Sequence, residues 1–125
     1  MSPRSEELLA GARERLGGAQ HALAAGHAEL AISAAYYAML YAARAALSER
    51  DQYAKTHAGV WHLFAETFVK GGPFDTELYR QARRAEEDRL KGDYEAVSLS
   101  SELAAEHVAT ATRFIAAVVA MVKGE

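Results

Sequence analysis

Apolar residues along this chain recur at three- and four-residue steps, the spacing of one helix face, and nowhere settle into the alternation of a strand. Leu9, Ala12, Leu16, Ala19 and Leu23 trace one such face and predict a first helix over Ser5 to Leu23, weakened locally at Gly17-Gly18. Gly26 breaks the pattern, and a second helix is expected over His27 to Glu49. That helix carries two apolar stripes, Ile32-Ala35-Met39-Ala42-Ala46 and Leu30-Ala34-Tyr37-Tyr41-Arg44, which places it at the centre of a bundle or at a subunit interface. A third helix follows over Thr56 to Val69, with Thr56 as N-cap and Val60, Trp61, Phe64 and Phe68 as its aromatic-rich face. Gly71-Gly72-Pro73 is the strongest break in the chain. Asp75 can cap a fourth, highly charged helix that ends near Gly92 or a little beyond, with Glu77 in its first turn. The last helix should start after Ser98 or Ser100 and reach Lys123, along the stripe Val108, Ala111, Ile115, Val118 and Val122. The pattern predicts an all-α fold, an up-and-down helical bundle of four to five helices, in a single domain over residues 1–125.

Composition adds constraints. Half of the 125 residues are hydrophobic, enough for a core, yet 28 are alanine, and a small side chain buries little area. Such a core needs close helix approach and gains from the surface of a further subunit. There is no cysteine, which excludes a disulfide framework, a thiolate metal site and a thiol nucleophile. A net charge of −3 argues against a protein that coats duplex DNA through basicity. Ala28 to Leu47 is about as long as a bilayer core, but Glu29, Ser33 and Arg44 interrupt it, and no membrane span is expected. No leader pattern precedes the first helix, so a cytoplasmic location is expected.

Most familiar site chemistries are missing. No histidine has an acidic residue three positions before it, as a carboxylate-bridged diiron bundle requires. His57 and His62 are five apart, about 140° around a helix, so they do not share a face. Neither a metal nor a cofactor is expected. Phosphate-binding glycine loops and a G-x-S-x-G elbow are also absent.

What is left centres on Arg89. Arg89 and Asp93 are four apart and can pair along a helix, with Tyr94 beside them. Such a pair is either a solvent-exposed surface contact or an arginine held by a carboxylate and aimed at phosphate in a cleft; surface pairs are the commoner kind. Tyr36, Tyr37 and Tyr41 with Arg44 pose a parallel choice between core packing and stacking on a base. His57 follows Lys55-Thr56 at a helix start, where it serves either a structural hydrogen bond or acid–base chemistry.

These features fall in a familiar order. The segment Ala34-Ala35-Tyr36-Tyr37-Ala38-Met39-Leu40-Tyr41-Ala42-Ala43-Arg44-Ala45 resembles the second helix of the HEPN superfamily (higher eukaryotes and prokaryotes nucleotide-binding domain). Lys55-Thr56-His57-Ala58-Gly59-Val60, then Phe64 and Phe68-Val69-Lys70, resemble the next helix in a branch of small stand-alone prokaryotic members, and Arg89-x-x-x-Asp93-Tyr94 its following motif. The resemblance spans nearly the whole chain. It implies a dimer or higher homo-oligomer built on the central helices, and a minimal nucleotidyltransferase as partner in a toxin–antitoxin-like pair, with Tyr94 the tyrosine that such a partner would modify. It implies an RNA- or nucleotide-associated site with Tyr37, Arg44, Lys55 and Arg89 as binding residues and Arg89, Asp93, Tyr94 and His57 as the catalytic candidates. Many members are metal-independent ribonucleases whose motif is arginine, four to six residues, then histidine. Here those positions are Tyr94, Glu95 and Ala96, so the histidine is missing, and a neutral tyrosine is a poor base at pH 7. Three activities stay open: a binding module, a ribonuclease and a non-catalytic oligomerising adaptor.

Overall fold

The computed structural model describes residues 1–95 and 97–124. Five α-helices account for the architecture: α1 (Pro3–Ala24), α2 (Ala28–Ser48), α3 (His57–Phe64), α4 (Thr76–Tyr94) and α5 (Ser101–Lys123). No strand occurs among the described residues. Hydroxyl and carboxylate caps set four of the helix starts. The side chains of Ser2, Thr56, Asp75 and Ser100 accept from the backbone N–H groups of Ser5, Gly59, Leu78 and Leu103. Helix α1 runs unbroken through Gly17-Gly18, because the covering face of α2 secures it against their weak helix propensity.

The third predicted helix changes character midway. After Phe64 it opens into a π-helical turn, Ala65–Val69, before the glycine break. The turn hands Phe68 to the core, and its carbonyl accepts from Phe74 N–H at 2.9 Å. At Gly72 a Cβ would run into the Phe68 backbone carbonyl, which explains the glycine there without any phosphate-binding role.

Helix α2 is the axis of the bundle and packs against each of the other four helices. Its two stripes divide the work. Ile32, Ala35, Met39, Ala42 and Ala46 are fully buried. The other stripe sits at the margin of the core: Leu30 is 62% exposed, and Ala34, Tyr37, Tyr41 and Arg44 are half-buried. Fully buried Ala12, Ala19, Ala31, Ala38 and Ala43 bring backbones close around this axis. The bulk that alanine cannot supply comes from one aromatic cluster at the α3 end. Trp61, Phe64, Phe68, Phe74 and Phe114 meet at centroid separations near 5–6 Å, mostly edge-to-face. Helices α2 and α5 are long and apolar enough to cross a membrane by length and composition, but two-thirds of the α2 window is buried inside the bundle.

On the far side, His107 of α5 meets Asp88 of α4 at 2.7 Å (Nε2 to Oδ2), and Arg113 donates to Gln81 at 3.2 Å. These contacts tie the last two helices together. Asp88 lies on a different face of α4 from Glu86 and Arg89.

Candidate functional site

The inner face of α4 runs through Ala82, Ala85, Glu86 and Arg89, one helical stripe that meets α2. Opposite it stand Tyr36 and Tyr37 of α2, and His57 and Trp61 of α3. His57 is the first residue of α3, directly after the Thr56 cap. That cap fixes where the imidazole enters.

The Tyr36 hydroxyl is the hub. It donates to Glu86 Oε2 at 3.0 Å, accepts from Trp61 Nε1–H at 3.1 Å, and lies 3.1 Å from His57 Nδ1. A phenol has one proton, and the Glu86 carboxylate can only accept, so that proton belongs to Glu86. The Tyr36 oxygen must then accept from His57 Nδ1–H. This assigns the His57 tautomer and leaves Nε2 carrying the lone pair. Glu86 is held in turn by Arg83, whose Nε donates to Oε1 at 3.1 Å while its Nη1 donates to the Tyr79 hydroxyl at 3.0 Å. The hub resists ionisation: burial, opposed by the Trp61 hydrogen bond, raises the Tyr36 phenol well above its ordinary range.

Arg89 lies beside this hub. Its guanidinium is 5.1 Å from the Tyr36 ring centroid and 5.4 Å from that of Tyr37, and Nη1 donates to Asp93 Oδ2 at 2.9 Å. Only 12% of the Arg89 side chain is exposed, against 45% for Asp93. The pair is therefore not the solvent-exposed contact that spacing alone favours. Arg89 Nε is buried and has no hydrogen-bond partner among the described residues. A guanidinium held on both rings, with an edge still open to solvent, presents a fixed positive charge to an anion.

His57 is kept neutral by the same surroundings. Burial is the main cause that lowers its pKa, followed by the charges of Arg44 and Arg89, while Glu86 opposes them. The folded-state value thus lies below the ordinary 6.5. The unfolded chain takes up the His57 proton first, so this contribution to stability is complete above about pH 6.5 and is lost as pH falls below it. Replacing His57 by Gln should remove it. The melting-temperature advantage of wild type over His57→Gln, followed by circular dichroism from pH 7.5 to 5.5, should shrink on acidification. A constant difference would contradict the neutral assignment.

The structure brings together Arg89, Asp93, Tyr37 and His57, with Arg44 close enough to act on His57 electrostatically. Two of the expected residues lie in solvent and make no hydrogen bond or ion pair with the hub among the described residues. Lys55 is exposed on the loop before α3, with no ion pair among the described residues. Tyr94 is 78% exposed and makes no hydrogen bond among the described residues, because it lies on the outer side of the last turn of α4. Of the three positions where the histidine is missing, Ala96 lies outside the described residues. Sequence reasoning passed over Glu86 and the Trp61 indole as members of the site. Glu86 was legible in principle, since its place in the series 82-86-89-93 puts it on the inner face of α4. No group of three or more histidine, aspartate or glutamate residues suited to a metal occurs among the described residues.

Comparison with known proteins adds family information. The HEPN domain family profile matches residues 5–122. A UPF0332 protein of Gloeobacter violaceus is 33% identical over 94 residues, covering 75% of each chain. A Methanocaldococcus jannaschii protein named "Putative toxin MJ0142" is 31% identical over 91 residues, covering 73% of this chain and 62% of that protein. Among solved structures, TT1696 from Thermus thermophilus superposes with a TM-score of 0.82 at 21% identity, covering 96% of this chain and 99% of the other. ST0689, an archaeal HEPN homologue, gives 0.76 at 19% identity, covering 97% and 99%. At those identities the structural likeness is one of fold.

Proposed function

This chain belongs to the HEPN domain family, and from that premise we propose that it is an RNA- or nucleotide-associated module that binds phosphate at Arg89. The observation that carries the reading is Arg89 itself, clamped by Asp93 against Tyr36 and Tyr37 with an edge still open to solvent. Single-stranded RNA suits the site better than duplex. A half-buried Tyr37 beside a guanidinium offers a base a stacking partner, whereas a net charge of −3 supplies no broad basic track for a duplex.

The toxin name of the Methanocaldococcus relative supports a toxin-like role, and the family resemblance extends the proposal to a cytoplasmic pair with a minimal nucleotidyltransferase. In that pairing exposed Tyr94 is the residue open to modification. The family resemblance, with exposed Leu30 at the start of α2, supports a homo-oligomer formed through this helix.

One observation favours a second reading, metal-independent RNA cleavage. His57 Nε2 carries a lone pair on a neutral ring next to Arg89, so it can do the work of the histidine missing after Arg89. It would take the proton of a ribose 2′-hydroxyl as the oxygen attacks the adjacent phosphorus, and Arg89 would hold the phosphate oxygens. The 5′-oxygen would leave with a proton from water.

The module reading is tested by titrating a labelled single-stranded RNA into the protein at low salt and following anisotropy. Saturable binding is expected, and its absence would sink the reading. The same samples held in EDTA and run on a gel separate the two activities. Shortening of RNA by wild type and not by His57→Ala supports cleavage; unchanged RNA in both leaves the binding module alone.

A further inference from the structure

We infer that a second concavity, lined by Arg44, is a nucleobase subsite of this module, receiving a base of the strand whose phosphate lies at Arg89. The inference rests on the phosphate-binding reading and names residues outside it. The cavity has a volume of about 260 Å³ between the start of α1, the end of α2 and the loop leading to α3. Pockets for drug-sized ligands begin at about 300 Å³, so this one fits a single planar ring system rather than a dinucleotide.

Its surfaces have the right chemistry for such a ring. Leu8 of α1 supplies its accessible apolar wall, backed by fully buried Leu47 of α2 and Val60 of α3. Tyr53 stands at the edge with 61% of its surface exposed, an aromatic face with no packing role that needs it there. Exposed aromatic rings beside cations are the stacking platforms of single-strand binders. Two cations flank the cavity, Arg4 from α1 and Arg44 from α2. Neither has a carboxylate within ion-pair distance among the described residues. Gln52 supplies a polar reading group. Its Oε1 accepts from Thr67 Oγ1 at 2.8 Å, which leaves the amide N–H groups as donors toward a base acceptor.

The rim is preorganised. Leu47 carbonyl accepts from both Arg50 N–H at 2.9 Å and Gln52 N–H at 3.0 Å, and Ser48 carbonyl accepts from Asp51 N–H at 3.1 Å. Asp51 adopts a left-handed φ of 54°, a conformation that costs energy in a residue with a side chain. That strained corner is what directs Gln52 and Tyr53 to the cavity. Arg44 links the cavity to the first site, since it lines the one and acts on His57 in the other.

The experiment uses uniformly ¹⁵N-labelled full chain, titrated separately with the four nucleoside 5′-monophosphates, with inorganic phosphate and with a short single-stranded RNA. Monophosphates are expected to shift the amides of Gln52, Tyr53 and Ala54 together with that of His57. Tyr53→Ala and Arg4→Ala should each weaken nucleotide binding at least about fivefold, a stacking- or charge-sized effect, without moving the melting temperature. Both residues are exposed, so the variants should fold. Equal shifts at Gln52–Ala54 from inorganic phosphate alone, with Tyr53→Ala binding as wild type, would overturn the base subsite. RNA shifts confined to His57 and Arg89 would also overturn it while sparing the phosphate reading. The reverse pattern, a cavity that binds nucleotides with affinity indifferent to Arg89→Ala, would support the cavity and remove the phosphate site at Arg89.

Discussion

Replacing Arg89 by alanine should weaken binding of single-stranded RNA by about 10- to 100-fold. That range corresponds to the roughly 1.5–3 kcal/mol of a hydrogen bond to a charged group. The group lost is a guanidinium whose Nη1 is already taken by Asp93, on a side chain whose exposed 12% is the part a phosphate can reach. The salt dependence should change as well. Each phosphate contact to a single strand contributes a slope of about −0.7 in log K against log salt, so the variant should be flatter by about one contact. Because the arginine is mostly buried against Tyr36 and Tyr37, alanine also removes packing, and a stability loss of about 1–2 kcal/mol should accompany it. Arg89→Lys separates the two effects. It keeps a stem and a charge but not the planar fork, so it should fold like wild type and bind RNA with intermediate affinity. RNA affinity equal to wild type in both variants, measured by anisotropy at 50 and 150 mM salt, would remove Arg89 from the site.

The largest effect on stability is expected at Trp61. It is fully buried and touches Phe64, Tyr79 and Phe114 edge-to-face while its indole N–H donates to Tyr36. In a bundle whose axis is lined by alanine, this ring fills the space between α2, α3, α4 and α5. Trp61→Ala leaves a cavity that rigid neighbours cannot close and should cost about 3–5 kcal/mol. That is a large fraction of the roughly 5–15 kcal/mol that holds a domain together, so the variant should be extensively unfolded at 37 °C. Trp61→Phe isolates the hydrogen bond. It keeps most of the bulk but withdraws one of the two donors to the Tyr36 oxygen, at a cost of about 1–2 kcal/mol. Urea unfolding of both variants gives the two numbers. A loss below about 1 kcal/mol for Trp61→Ala would contradict the packing account.

The tyrosine hub shows why parts of the site could not be read from the chain. Spacing placed Arg89 opposite Asp93, since residues four apart meet on any helix. Whether that pair is wet or buried depends on which face of α4 meets α2, and a highly charged helix offers several faces to choose from. The structure chooses the stripe of Ala82 and Ala85, and with it come Glu86 and Arg89. The Tyr36 contacts lie 21, 25 and 50 residues away along the chain, beyond any local rule. Lys55 and Tyr94 show the converse. Their residue types suited a phosphate site, but a loop and the outer side of a last helical turn carry them into solvent.

Local physical chemistry in the sequence determined the helices, their caps, their breaks and the central place of α2. A 3.6-residue period, side chains that bond their own N-terminal N–H groups and glycine breaks act within a few residues of one another. The resemblance read from those segments also pointed to the family. Tertiary structure alone decided which α2 stripe is buried, which tautomer His57 holds, that Arg89 stacks on two tyrosines, and that Arg4 and Tyr53 face one cavity. Those outcomes follow from contacts between distant segments, where burial, hydrogen-bond capacity and charge are settled only once the helices have packed.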